Sequence, residues 1–458
     1  MFKKGGHKSL KICHYFNYIL IYINCFEYTF FEECDNFMNP FEEKGTSIEN
    51  SIKDWCKLYP KPYNKYEVNP YTKTRIILMN GTEFEANWFS HQFSRHCSNN
   101  DLRREIALTR RIEKQQQMKI AHLKPINENI LETTISYEQL AVDLTARLAK
   151  CEVDPNVKAA LDFALLEDFD HLYRYSDLLD LEYGIQADKL VGRYTEIMPG
   201  RPTISHHRHP YDDIKNYIDN KTASPITKLN VNIITAAEQQ TMNFYMNIGQ
   251  YYTSDLGRRV YQEIGLVEEE HVSQYGSLID PNQTWLENLL NHEYTECYLY
   301  YSCYCDETDE YIKKIWEQFF LEEVTHLHRA AYLLEKYEGK SWQQIIPDGT
   351  FPTLLTLGPN VEYVRDVLKN TASYTGMRES YIPVCEAPKD FDFFTYQNIV
   401  NNDVSTVPSH IVIDKYIKCN GCDFRFEVAP NPVECLRNRK VDNVCVGREP
   451  LCGDDCCC

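Results

Sequence analysis

Basic residues are in short supply in this chain. Its 458 residues include 48 Lys and Arg against 67 Asp and Glu, a formal charge of -19. With nothing to offset phosphate repulsion, nucleic acid and anionic membrane surfaces are excluded as partners, and cations become the natural ligands. Long clean apolar runs are also lacking. The nearest approach, Ile12 to Phe31 behind Lys3, Lys4, Lys8 and Lys11, is interrupted by His14, Asn17, Asn24 and Glu27, each costly in hydrocarbon. Residues 1–37 therefore read as a weak anchor or as translated upstream sequence before Met38, and a membrane partner is not expected. An even spread of cysteine is missing as well: eight of the 18 fall in the last forty residues. The scattered remainder reads as reduced thiols with a cytoplasmic address. Tyrosine is abundant, at 33 residues, which suits a core of polar-tipped aromatics or surface cross-linking.

One pattern stands out against this background. Of the 14 histidines, three have a carboxylate three residues upstream, and each of those three also has a glutamate thirty-three residues upstream. The triads are Glu138/Asp168/His171, Glu238/Glu268/His271 and Glu293/Glu323/His326. Roughly 0.2 such triads are expected by chance in a chain of this composition. Leu166, Leu266 and Leu321 stand five residues before each histidine, and Asp180, Asp280 and Glu335 close each unit. This is one helical hairpin written three times.

On a helix, positions i and i+3 share a face, so Glu268 and His271 can bind one ion together. The thirty-residue step back to Glu238 matches a helix to a turn and a return of similar length. Two such hairpins supply four carboxylates and two imidazoles facing inward, the donor set of a carboxylate-bridged pair of iron or manganese ions. Asp154-Pro155 starts a helix inside the first hairpin, Asp280-Pro281-Asn282 separates the second from the third, and Gly339 ends the third. Residues 38–130 read as a mixed N-terminal region with a basic, solvated helical stretch from Leu102 to Lys124. Residues 131–340 read as the helical bundle, and residues 341–414 as a linker with short elements. In the long connection between the first two hairpins, His206, His207 and His209 offer further ligands or a hydrogen-bonded surface turn.

Over residues 131–340 the triads resemble the ferritin-like superfamily, which includes rubrerythrins, bacterioferritins and manganese catalases. The resemblance implies a mainly α, antiparallel bundle built from three hairpins. It also implies Glu268 and Glu323 as bridging carboxylates, His271 and His326 as terminal ligands, and Glu238 and Glu293 as terminal carboxylates. Glu296 completes a Glu-x-x-Glu pair similar to that of a rubrerythrin helix. Family bundles use two hairpins, so the pairing of three is open. The short turn between the second and third makes them point the same way, whereas only the connection after His171 is long enough to reverse direction. Ligand quality favours the second with the third, because Asp168 is shorter than Glu, although Glu167 beside it offers compensation. We expect the second and third to pair.

Residues 415–458 form a Cys-rich appendage. Cys419-Asn-Gly-Cys422, between aromatic residues expected to be in strands, resembles half of a rubredoxin-like or zinc-ribbon site, and Cys452 stands in a similar second half. Position 449 is Glu where that half would have its other cysteine, so Cys435, Cys445 or Cys456 would have to substitute; cross-linking and disorder are the alternatives. With Cys419, Cys422, Cys452 and Cys456 as ligands the tail would hold one iron or zinc. The bundle is expected to fold without it. The resulting expectation is a non-haem dimetal oxidoreductase acting on peroxide or oxygen, with an electron-donor protein and homo-oligomerisation compatible with it. A metal store without turnover and a Tyr/Cys cross-linked coat-type protein are the other readings.

Overall fold

Helices start here where a small polar side chain precedes a helix-forming run. Eight long helices among the described residues each open on a side-chain cap: α1 (Pro70–His96) on Asn69, α2 (Asn100–Ala121) on Asn99, α3 (Ile130–Cys151) on Asn129 and α4 (Pro155–Tyr183) on Asp154. Then come α5 (Pro225–Ile248) on Ser224, α6 (Asp255–Ser277) on Ser254, α7 (Trp285–Asp306) on Thr284 and α8 (Glu310–Glu338) on Asp309. Each cap satisfies amide donors the helix cannot and contributes about 1 kcal/mol. The coordinates are a computed structural model describing residues 34, 37–201 and 205–437, and the described residues from 37 onward belong to one unit.

The caps of α5 to α8 lie 155 residues after those of α1 to α4, and the glycines that end α4 and α8, Gly184 and Gly339, keep the same offset with left-handed φ of 63° and 66°. The helical frame is therefore a gapless repeat, 69–184 against 224–339. Contacts across the halves are reciprocal. Thr72 Oγ1 donates to Glu307 at 2.5 Å, and its counterpart Thr227 donates to Glu152, the counterpart of Glu307, also at 2.5 Å. Arg75 likewise donates to Glu307, and its counterpart Asn230 to Glu152. The halves thus meet like the subunits of a two-fold dimer. On the pseudo-axis α1 crosses α5 at Gly81 and its counterpart Ala236, where a Cβ on Gly81 would fall 3.0 Å from the Ala236 carbonyl oxygen and 2.7 Å from Gln240 Cβ. That approach requires glycine.

Consecutive helices form four hairpins. The inner two, α3–α4 and α5–α6, pack on each other, and the outer two, α1–α2 and α7–α8, close a second four-helix group. The molecule is mainly α, as expected, but the region read as mixed contains a fourth hairpin. The stretch from Leu102 is helical to Ala121 with one buried face, including Ile106, Ile112, Glu113, Gln116 and Ile120.

Residues 341–437 are no detached linker and appendage. Helices α9 (Val361–Thr371), α10 (Asp392–Val400) and α11 (Pro408–Asn420), with a hairpin of β1 (Tyr374–Met377) and β2 (Ser380–Pro383), follow α8. Val364, Leu368, Val412, Ile413, Tyr416, Phe424 and Leu436 enter the core of the inner hairpins. Tyr416 donates to Asp180, and the Phe424 amide donates to Asp177. Removing the chain from Tyr416 onward would open that core, contrary to the expectation that the hairpins close alone. The Cys419–Cys422 knuckle is the C-terminal turn of α11, with Gly421 at φ 78°, and no strand flanks it. No helix among the described residues is long and apolar enough to cross a membrane; the apolar stretch Ile12 to Phe31 lies outside the described residues.

Candidate metal centres

The first centre lies between the inner hairpins. Glu138 on α3, Asp168 and His171 on α4, Glu238 on α5, and Glu268 and His271 on α6 converge, all buried. Their ligand atoms fall into two groups, Glu138/Asp168/His171/Glu268 and Asp168/Glu238/Glu268/His271, each with its atoms within 4.8 Å of one another. Asp168 and Glu268 belong to both. His171 Nδ1 donates to Glu268 at 3.0 Å, while His271 Nδ1 lies 3.3 Å from Glu268, 3.4 Å from Asp168 and 3.7 Å from Glu238 without an aligned hydrogen bond. Both oxygens of Asp168 and of Glu238, one oxygen each of Glu138 and Glu268, and His171 Nε2 have no partner. Buried polar atoms in such numbers are costly unless something else binds them.

Electrostatics repeat the point. Burial, then the Glu268 charge, holds the Glu138 carboxyl well above its ordinary range; burial, then Glu238, does the same to Asp168; burial pushes Glu238 up to about 7. Burial acts the same way on Glu268, but the hydrogen bond from His171 and the close His271 imidazole outweigh it and bring that group down to about 2. Behind the ring, His271 Nε2 donates to Glu167 at 2.7 Å, and Glu167 is held by Arg208 at 2.9 Å. Glu167 is therefore no substitute for Asp168. It fixes the imidazole from outside and turns Nδ1 inward, the carboxylate–histidine arrangement common behind metal ligands. Tyr245 donates to Glu138.

The expected pairing of the second and third hairpins is overturned. Glu293 and Glu296 on α7 and Glu323 and His326 on α8 sit in the outer group, opposite Glu83 on α1 and Glu113 and Gln116 on α2. Direction decided it: only the long connection between α4 and α5 reverses the chain inside the inner pair. Here the atoms group as Glu113/Glu293/His326 and Glu293/Glu296/Glu323. His326 Nδ1 donates to Glu323 at 2.9 Å, Gln116 Nε2 donates to Glu323 at 2.6 Å, and Tyr300 donates to Glu83. Both oxygens of Glu296, one each of Glu83, Glu113 and Glu293, Gln116 Oε1 and His326 Nε2 have no partner. Burial leads in raising Glu83, Glu293 and Glu296 well above the usual range and in taking Glu113 to about 7, and the surrounding carboxylates, Glu323 first, lift His326 to about 10 against its burial.

Glu83, Glu113 and Gln116 escaped the sequence reading, yet they keep its spacing: thirty residues from Glu to acid and three more to the third member. They also stand 55 residues before Glu138, Asp168 and His171, as the second triad stands 55 before the third. A search keyed on histidine could not find a triad ending in Gln.

Of the loop histidines, His206 binds the Arg201 carbonyl with its ring 5.5 Å from that of His171, and His207 lies between Glu270 at 3.7 Å and Glu263 at 4.0 Å. None joins a ligand group among the described residues, nor do Cys419 and Cys422, which are free and exposed; Cys452 and Cys456 lie outside the described residues. Cys435 is in a disulfide and cannot complete a tail metal site, and Cys305 is also disulfide-bonded, so the scattered thiols are not all reduced. Comparison with family models, curated proteins and solved structures gives no match.

Proposed function

We propose that the inner hairpins form a ferritin-like bundle whose first centre holds two iron or manganese ions and reacts with peroxide or oxygen. The observation that carries this reading is the overlap of two donor groups through Asp168 and Glu268, the pattern two bridged ions need. Two adjacent redox ions would supply the two-electron exchange that reduces or disproportionates peroxide. The residues do the rest. Four carboxylates match the charge of two divalent ions, Glu167 presents Nδ1 of His271, and Tyr245 anchors one oxygen of Glu138 while the other stays open. The packed aromatics Tyr175, Tyr245 and Tyr261 close one end, and Tyr275, against the His271 ring, lies toward the other.

Much of the tyrosine is core: Tyr173, Tyr175, Tyr245, Tyr261, Tyr275, Tyr300 and Tyr301 are fully buried, which weighs against a surface cross-linking role. The test is peroxide consumption and oxygen evolution by the full chain loaded with iron or manganese, against His171→Ala/His271→Ala. The expected outcome is turnover that the double variant loses together with the metal of this centre. Two bound ions with no peroxide consumption would turn the reading to metal storage.

A further inference from the structure

The outer hairpins cannot be ligands of the first centre, since each centre takes its own pair of hairpins. Their cluster is a built site on its own account. Seven side chains from four helices converge, and all are buried. Six of the seven, Glu83, Glu113, Gln116, Glu293, Glu296 and His326, have at least one unpartnered oxygen or nitrogen. A hydrogen-bonded carboxyl network would use those atoms among themselves, whereas here they are left over.

The donor set differs from that of the inner centre in a definite direction. Gln116 stands where the repeat places His271 in the other half, so one imidazole becomes an amide. Glu296 adds a carboxylate at a position whose counterparts are Ala86, Ala141 and Thr241. One nitrogen donor is exchanged for an amide and one carboxylate is added, so the formal carboxylate count rises from four to five. Oxygen-rich sets with little nitrogen suit hard cations and give up part of the advantage that imidazole gives zinc.

We propose that Glu113, Glu293, Glu296, Glu323 and His326, supported by Glu83 and Gln116, form a second and separate centre for hard divalent cations. Glu293, common to both donor groups, is the bridging candidate. The centre stands independently of whether the inner one turns over peroxide.

The experiment uses the full chain, stripped with chelator and titrated with Mn2+ without oxygen, the free ion being counted by its electron paramagnetic resonance signal. In His171→Ala/His271→Ala protein, whose inner centre has lost both imidazoles while the outer donors are intact, tight Mn2+ uptake of up to about two ions per chain is expected. Adding Glu323→Gln/His326→Ala should abolish it. A folded His171→Ala/His271→Ala protein that takes up no Mn2+, or one whose uptake survives the further pair, overturns the proposal. Should the combined variant fail to fold, Glu296→Gln in the otherwise unaltered chain decides. We expect at least tenfold weaker Mn2+ binding at one class of site, and a smaller change in Zn2+ binding; unchanged Mn2+ affinity overturns the proposal. Peroxide turnover in Glu323→Gln/His326→Ala protein reports on the inner centre alone, so the failure of one reading leaves the other legible.

Discussion

The two halves, 69–184 and 224–339, have the same helices, caps and terminal glycines, yet neither contains a centre. Glu138, Asp168 and His171 come from the first half and Glu238, Glu268 and His271 from the second; the outer cluster divides in the same way. Every centre is an interface between repeats. The lesson is that the duplicated unit is half of two sites, so the two centres can diverge while the scaffold stays fixed. Divergence has gone furthest at the outer centre, where one histidine is gone and Glu296 has appeared.

The largest effect should come from breaking the chain between the halves. A cut at Lys221–Thr222, in an exposed turn, leaves each half with its caps but strips it of the opposite hairpins. Either half alone should bind no metal with high affinity and expose its Leu- and Tyr-rich faces. Co-expressed, the two should associate and recover both centres, as measured by metal content of the co-purified pair. A single half that holds two ions tightly would break the comparison.

A middle-sized effect separates the metal-free from the loaded protein by pH. Glu238 in the inner centre and Glu113 in the outer are both pushed up to about 7 by burial, from an ordinary value near 4.5. A carboxyl whose pKa is raised by folding binds its proton more tightly in the folded state. It therefore favours folding below pH 4.5 and penalises it increasingly as pH rises to about 7. Metal-free protein should lose thermal midpoint over this window. Bound cations replace those protons, so the loaded protein should gain on the metal-free one as pH rises. Midpoints at pH 5 and pH 7.5, roughly the ends of this window, with and without Mn2+, check it. Equal slopes would show that neither group faces a cation.

Three of the four triads were legible because acid and imidazole recur at helical spacing, and the chemistry of metal ligation demands both. The fourth was hidden by one substitution, Gln116, although the caps Asn69 and Asn99 and the acids Glu83 and Glu113 keep the register of the repeat. Pairing was harder to read, because it depends on which connection reverses direction. The topological argument pairs the first hairpin with the second or the third without choosing between them, whereas ligand quality favours the second with the third. What misled there was Asp168: a shorter side chain looked weaker, yet it sits in both inner donor groups. The C-terminal region read as detached because its apolar residues come in short groups, Val412-Ile413 and Phe424 among them, which only find a core once the hairpins are in place.

The smallest effect should come from exchanging a pair that the two equivalent crossings between the halves have solved differently. Gln240 Nε2 donates to Tyr137 Oη at 3.0 Å on the flank of α5. The counterparts are Glu85 and His292, with His292 Nε2 3.9 Å from Glu85. His292 precedes the ligand Glu293, but its ring turns away, 4.5 Å from that of Phe89, and touches no donor of the outer group. Both sides of the pair are half-buried rather than sealed in. Writing the Gln240–Tyr137 solution into the other pair, Glu85→Gln with His292→Tyr, should leave metal stoichiometry at both centres unchanged and move stability by no more than about 1 kcal/mol, the size of an ordinary partly exposed contact. Mn2+ titration and thermal melts of the double variant measure both quantities. Loss of the outer ions would mean that the centre extends two residues further along α1 than its seven side chains indicate, and that Glu85 belongs with Glu83.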